Sequence, residues 1–262
     1  MKLEFKRIRQ LRCAALAIAA LPMLTNPFPC PAQITLSVSA AASLRDAITE
    51  VEASYKLTHT RLEFQNNFGS SGTLAVQIDQ GGLADVFFSA AEKPMDDLAA
   101  KGLIVAATRR NLLQNTLVLI TPLDSTLKDF QDLTAASVRT IALGDPGSVP
   151  AGQYGRQTLA SLHLLNQLST KLVLAKDVRQ VLAYVETGNA DAGLVYATDA
   201  RISSKVRIVA TAPDSAHDRI VYPVAVLKGT HNEAEARDFV ESLRGPAGRA
   251  IFVKYGFTIA AQ

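Results

Sequence analysis

From Ile34 to Lys254 the chain alternates short β-branched or apolar runs with longer amphipathic segments, and this rhythm limits the architectures open to it. Ile34–Val38, Arg61–Phe64, Ala84–Ser89, Thr116–Ile120, Thr140–Leu143, Ala192–Tyr196, Val206–Val209 and Tyr222–Leu227 read as strands. Ser43–Tyr55, with Leu44, Ala47, Ile48, Val51 and Tyr55 on one face, reads as a helix. So do Thr73–Gln80, Pro94–Ala100, a segment from Val149 through Leu165, Asp177–Glu186, Glu233–Leu243 and Ala247–Lys254, several of them closed by glycine. Strand–helix alternation predicts parallel α/β sheets with helices on both faces. Ligands of such sheets lie off the carboxyl ends of the strands, where helices begin.

The first 32 residues stand apart. Lys2, Lys6, Arg7, Arg9 and Arg12 precede the apolar run Cys13–Leu24, which is shorter than the roughly 20 residues a membrane span needs. Small residues follow, so residues 1–32 read as a secretory signal peptide cut after Ala32. Both cysteines, Cys13 and Cys30, fall in this leader. Of the 27 basic residues five are there, against one of the 24 acidic ones, so the remaining body is nearly neutral. It carries no charge signature of nucleic-acid binding. With hydrophobic residues at 48% and charged ones at 19%, that body has the material for a packed core without disulfides.

Four helix starts are rich in small residues: Ala40-Ala-Ala-Ser43, Phe68-Gly-Ser-Ser-Gly-Thr73, Val149-Pro-Ala-Gly152 and Lys176-Asp-Val-Arg179. Free N–H groups and the helix dipole make such ends anion sites. Taken singly, each is also an ordinary cap or turn: Ser43 with Asp46, and Asp177 with Gln180, have capping-box spacing. Tyr196, ending an apolar strand, is either a core tyrosine or a phenolic donor at a cleft. Glu50, Glu52, Asp96 and Asp97 are expected on solvated helix faces. No phosphate-binding glycine loop, nucleophile elbow or paired-histidine motif is present. His59, His163, His217 and His231 are scattered, which disfavours a metal site or an enzyme.

The four helix starts, with Ala84-Asp-Val-Phe-Phe-Ser-Ala90, Gly144-Asp-Pro146, Val195-Tyr196 and the ending Lys254-Tyr-Gly-Phe-Thr-Ile259, resemble the periplasmic molybdate-binding proteins of ABC importers (ModA type). The match runs in order from about Ile34 to Ile259. The resemblance implies a two-lobe periplasmic binding protein fold of type II, with a ligand cleft between lobes joined by crossover strands. One lobe would be residues 33–115 plus 222–262, the other 116–221. Ser43 and Ser71 would give hydroxyl and N–H donors, Ala151 and Val178 backbone N–H donors, and Tyr196 its hydroxyl. The second loop reads Gly-Ser-Ser-Gly where relatives often carry a longer serine run, so Ser70 competes with Ser71 for that role. The expected ligand is molybdate or tungstate held as the oxyanion, with no cofactor and no direct metal ligand. The expected setting is a periplasmic monomer serving a membrane permease. Sulfate or a small organic acid bound by the same fold is the alternative; Arg45 and Arg179 lie beside two of the loops and keep the acid open. A serine hydrolase built on Ser43 or Ser71 is a more distant one.

Overall fold

The computed structural model describes residues 33–261. The expected signal peptide, residues 1–32, lies outside the described residues. In chain order the elements are β1 (Ile34–Ala41), α1 (Arg45–Lys56), β2 (Leu62–Gly69), α2 (Ser71–Asp79), β3 (Val86–Phe88), α3 (Glu92–Ala100), β4 (Arg110–Gln114) and β5 (Leu117–Pro122). Next come β6 (Ile141–Gly144), α4 (Pro150–Ser161), α5 (Leu165–Leu168), β7 (Leu172–Ala175), α6 (Val178–Glu186), β8 (Ala192–Tyr196), α7 (Ala197–Arg201) and β9 (Val206–Thr211). The chain closes with β10 (Val221–Val226), α8 (Glu233–Ser242), α9 (Pro246–Lys254) and β11 (Thr258–Ile259).

These strands form two sheets. One is six-stranded in the order β11-β4-β10-β3-β1-β2, the other five-stranded in the order β7-β6-β8-β5-β9. Each sheet has a parallel heart, β2-β1-β3 and β7-β6-β8. The expectation of wholly parallel sheets is corrected, because β5, β10 and β11 pair antiparallel. The cause is the route of the chain. It leaves the first sheet at the end of β4, crosses on Asn115 and Thr116 alone, and enters the second as β5 from the side where the parallel strands end. It returns from β9 to β10 in the same way. A strand entering from that side runs against its neighbours.

In β3, where side chains alternate between the faces of the sheet, Phe87 packs with Leu74, Met95 and Leu98 of α2 and α3. Val86 and Phe88 point the other way, into the large core that also holds Ile48, Phe239 and Phe252 of α1, α8 and α9. A sheet covered on both faces calls for uninterrupted apolar strands, and β8 and β10 are buried at every residue. In α6 the buried positions Val178, Val181, Leu182 and Val185 keep one stripe against the second sheet.

Two local expectations fail. Ser43 does not cap α1: residues 42–44 form a 3-10 turn with no side-chain cap, and α1 starts at Arg45. Its hydroxyl meets Tyr222 instead. Glu52 is not on a solvated face but buried at 5% exposure, because α1 turns that side toward β2. Asp96 and Asp97 are exposed as expected.

Candidate functional site

The carboxyl ends of the parallel strands feed the residues singled out from the sequence. The turn after β1 carries Ser43, α2 after β2 begins with Ser71, and Ala90 follows β3. In the second sheet, α4 after β6 begins Pro150-Ala151, α6 after β7 begins with Val178, and β8 ends on Tyr196. Ser43, Ser71, Ala151, Val178 and Tyr196 all line one small hollow, together with Ser70, Ala90 and Asp177. Its cavity volume is only about 10 Å3. That is far below the roughly 300–1,000 Å3 of clefts for drug-sized ligands, so the guest is a group of a few heavy atoms.

A larger groove of about 500 Å3 lies between α2, α3 and residues 146–150. Its charged side chains are paired with each other, Lys93 with Asp97 and Lys101 with Asp79, so it lacks convergent free donors. Size alone does not make it the better candidate.

The hollow is lined by donors. Ser71 and Val178 are the first residues of α2 and α6, and Ala151 follows the leading proline of α4, so their N–H groups have no partner within their own helices. Pro150 supplies the fixed φ of a first helical position. Gly152 lets the first turn of α4 sit on the end of β6, because a Cβ there would collide with the Gly144 carbonyl. Ser71 is fully buried, and its Oγ accepts the Ala90 N–H at 2.8 Å, leaving the hydroxyl proton free to donate. Ser70 is the N-cap of α2: its Oγ accepts from the Thr73 N–H and donates to Thr73 Oγ1 at 2.7 Å. Ser43 Oγ lies 3.0 Å from the Tyr222 hydroxyl. Neither Ser43 nor Ser71 is hydrogen-bonded to a histidine or a carboxylate.

No lysine or arginine lines the hollow. Asp177 reaches its edge, but its Oδ1 caps α6 by accepting the Gln180 N–H at 2.9 Å. Arg179, on the first turn of α6, is turned to two carboxylates. Its Nη2 donates to Asp46 of α1 at 2.6 Å, and its Nε lies 2.6 Å from Asp199 of α7. The second contact is an ion pair by distance without the angle of a hydrogen bond. Burial works against the Arg179 charge, but Asp199 and Asp46 outweigh it and hold the guanidinium above its ordinary pKa. Burial pushes Asp199 up to about 6, opposed by Arg179. Arg179 is therefore committed, and Arg45, over the Phe68 ring, is not among the residues lining the hollow, so neither presents a fork to a guest held in it. Burial, chiefly, also raises the Tyr196 and Tyr222 phenols well above their usual value, and both stay protonated donors.

Sequence reasoning misses Asn115, Tyr222 and Gly72. Asn115 Nδ2 donates to Tyr222 and to Thr198, and Tyr222 holds Ser43. The Gly72 N–H donates to the Ser148 carbonyl at 3.0 Å, joining α2 to the loop before α4. The only signal for Tyr222 is a hydroxyl inside an otherwise apolar strand.

Residues 36–258 match the model of the bacterial extracellular solute-binding proteins. The chain belongs to this family. Among its relatives is YvgL of Bacillus subtilis, whose name describes an ABC transporter substrate-binding lipoprotein. The two are 46% identical over 228 residues, covering 86% of this chain and 87% of that one. The molybdate-binding protein ModA of Escherichia coli is 42% identical over 230 residues, covering 86% and 89%. The structure of the Azotobacter vinelandii periplasmic molybdate-binding protein superposes with a TM-score of 0.78 at 26% identity, covering 86% of this chain and all of that one. The fold is thus the two-lobe, type II arrangement of solute-binding proteins. As such proteins do, this one carries a solute rather than a resident cofactor. Among the described residues, no helix is long and apolar enough to cross a membrane.

Proposed function

We propose that this solute-binding protein captures molybdate, with poor discrimination against tungstate, and delivers it to the membrane permease of an ABC importer. Ser43 and Ser71 donate hydroxyl and N–H, Ala151 and Val178 donate N–H, and Tyr196 donates its hydroxyl. The observation that carries this reading is the convergence of these five neutral donors on one hollow that no cation lines. A dianion buried there is compensated by hydrogen bonds, which are stronger to charged acceptors than to neutral ones. The names of the E. coli and A. vinelandii relatives point to the same anion. In this reading residues 1–32 are a signal peptide that directs a monomeric protein to the periplasm. Residues 33–115 with 222–262 form one lobe, 116–221 form the other, and the protein binds without catalysing a reaction.

Calorimetric titration of residues 33–262 tests the proposal. Molybdate and tungstate should bind one per chain, with sulfate and phosphate far weaker. At a molybdate concentration of about 100 Kd the fold should gain about 2.7 kcal/mol, seen as a raised Tm. Absence of binding by both molybdate and tungstate overturns it.

A further inference from the structure

We propose that Asn115 and Tyr222 are positioning residues that bias the Ser43 hydroxyl to give a proton to the bound anion rather than take one from it. The inference rests on the oxyanion reading of the site and deepens it.

The direction follows from counting protons. The Thr116 N–H donates to Asn115 Oδ1 at 2.9 Å, which settles which end of the amide is which. Both Nδ2 protons are then engaged, one to Thr198 Oγ1 at 2.8 Å and one to the Tyr222 hydroxyl oxygen at 3.1 Å. With its oxygen accepting from Asn115, Tyr222 has its phenolic proton left, and Ser43 Oγ is 3.0 Å away. A phenol is a stronger acid and a poorer acceptor than an aliphatic alcohol, so the bond runs from Tyr222 to Ser43. Tyr222 has no exposure to solvent that would scramble this order. Ser43 Oγ thus accepts from Tyr222 and its own proton remains for a guest; its second lone pair could face a guest only by turning that buried proton away from any acceptor. Ser71 reaches the same state by another route, its Oγ accepting the Ala90 N–H. Two serines in one hollow, each supplied with a donor from the protein, make a site that discriminates by protonation. A tetrahedral anion without protons finds a ready donor in each of the two serines. An anion that keeps a proton, such as hydrogen phosphate, can place it on either serine only by stranding that serine's own proton, and a buried unpaired donor costs affinity.

Tyr222→Phe removes the constraint while keeping the ring that packs edge-on against Tyr196 and Phe257. The Ser43 hydroxyl is then free to rotate and accept. The experiment is calorimetry or competition at fixed pH with molybdate, sulfate and hydrogen phosphate, on the wild type, Tyr222→Phe and Asn115→Ala. We expect molybdate and sulfate to weaken together by about three- to tenfold in Tyr222→Phe, the size of one neutral hydrogen bond. Hydrogen phosphate should hold or gain, so the molybdate-to-phosphate ratio falls by at least the same factor. Asn115→Ala should move the ratio the same way by less. A merely structural role lowers all three affinities in parallel, and that result, or an unchanged ratio, overturns the inference while leaving the oxyanion reading intact. A wild type that binds neither molybdate nor sulfate sinks the reading itself, and the inference with it.

Discussion

Ser70 and Ser71 are neighbours with different work, and their substitutions should separate cleanly. If Ser71 and Ser43 donate to the anion as proposed, Ser71→Ala and Ser43→Ala should each cost about 1.5–3 kcal/mol of binding, or roughly ten- to 150-fold in Kd. Ser70→Ala removes the cap of α2, about 1 kcal/mol of fold stability, and should leave Kd within about twofold. Titration of the three variants beside their melting curves checks this; a Ser70 variant that binds worse than the Ser71 variant would exchange their roles. Glu52 supplies a second residue-scale prediction. Burial pushes its carboxyl up to about 7, against opposing help from Asn66 and Lys56. Asn66 Nδ2 donates to Oε2 at 2.7 Å, while Glu52 Oε1 and Asn66 Oδ1 are both buried without partners. A proton on Glu52 turns one of these two orphan acceptors into a donor. The native state therefore holds this proton more tightly than the unfolded chain. The resulting stability is present in full below pH 4.5 and is lost as pH rises through about 7. The full loss is of order 3 kcal/mol. Glu52→Gln should flatten the Tm profile between pH 5 and 8 relative to wild type; an identical slope in both proteins refutes the assignment.

At the scale of elements, the positions of the candidate donors are legible in the sequence because each is a junction where a short apolar run hands over to a helix. Small residues, a proline at Pro150 and an Asx cap at Asp177 mark those junctions locally. The support behind them is not legible. Tyr222 meets Ser43 across 179 positions and Asn115 across 107, and no local pattern encodes such a pairing. The same holds for Glu52, whose burial depends on how α1 lies on β2. The antiparallel entry of β5 and β10 likewise follows from the crossing of the chain between sheets rather than from any property of the strands. Gly72 offers the element-scale test. A Cβ on it would lie 2.5 Å from the Ser148 carbonyl oxygen, so Gly72→Ala forces α2 away from the loop before α4. Molybdate affinity should drop about tenfold or more, although the residue touches no guest. The melting temperature without anion should fall only modestly, the lost Gly72–Ser148 hydrogen bond being partly offset by alanine's better helix propensity. Unchanged affinity would show that this contact is dispensable.

Across the whole molecule, Arg179 ties three elements together, α6 with α7 through Asp199 and α6 with α1 through Asp46. The two carboxylates are not equivalent. Asp46 is 39% exposed in its side chain, so its share is worth about 0.2–1 kcal/mol, and Asp46→Asn should speed molybdate dissociation by at most about fivefold in stopped-flow measurements. Asp199 is fully buried, and Arg179→Met would strand its charge at a cost of about 3–5 kcal/mol, lowering Tm strongly at neutral pH and less near pH 5. Equal effects of the two substitutions on stability would contradict this division.

A hollow walled by amides and hydroxyls, with no lysine or arginine in it, also sets how the protein meets its surroundings. The lining itself exerts no cationic pull, because no lysine or arginine is part of it, and the body beyond the leader is nearly neutral. What holds the guest acts only at contact, where dissolved ions do not intervene. Affinity should then change little from dilute buffer to roughly 0.5 M sodium chloride.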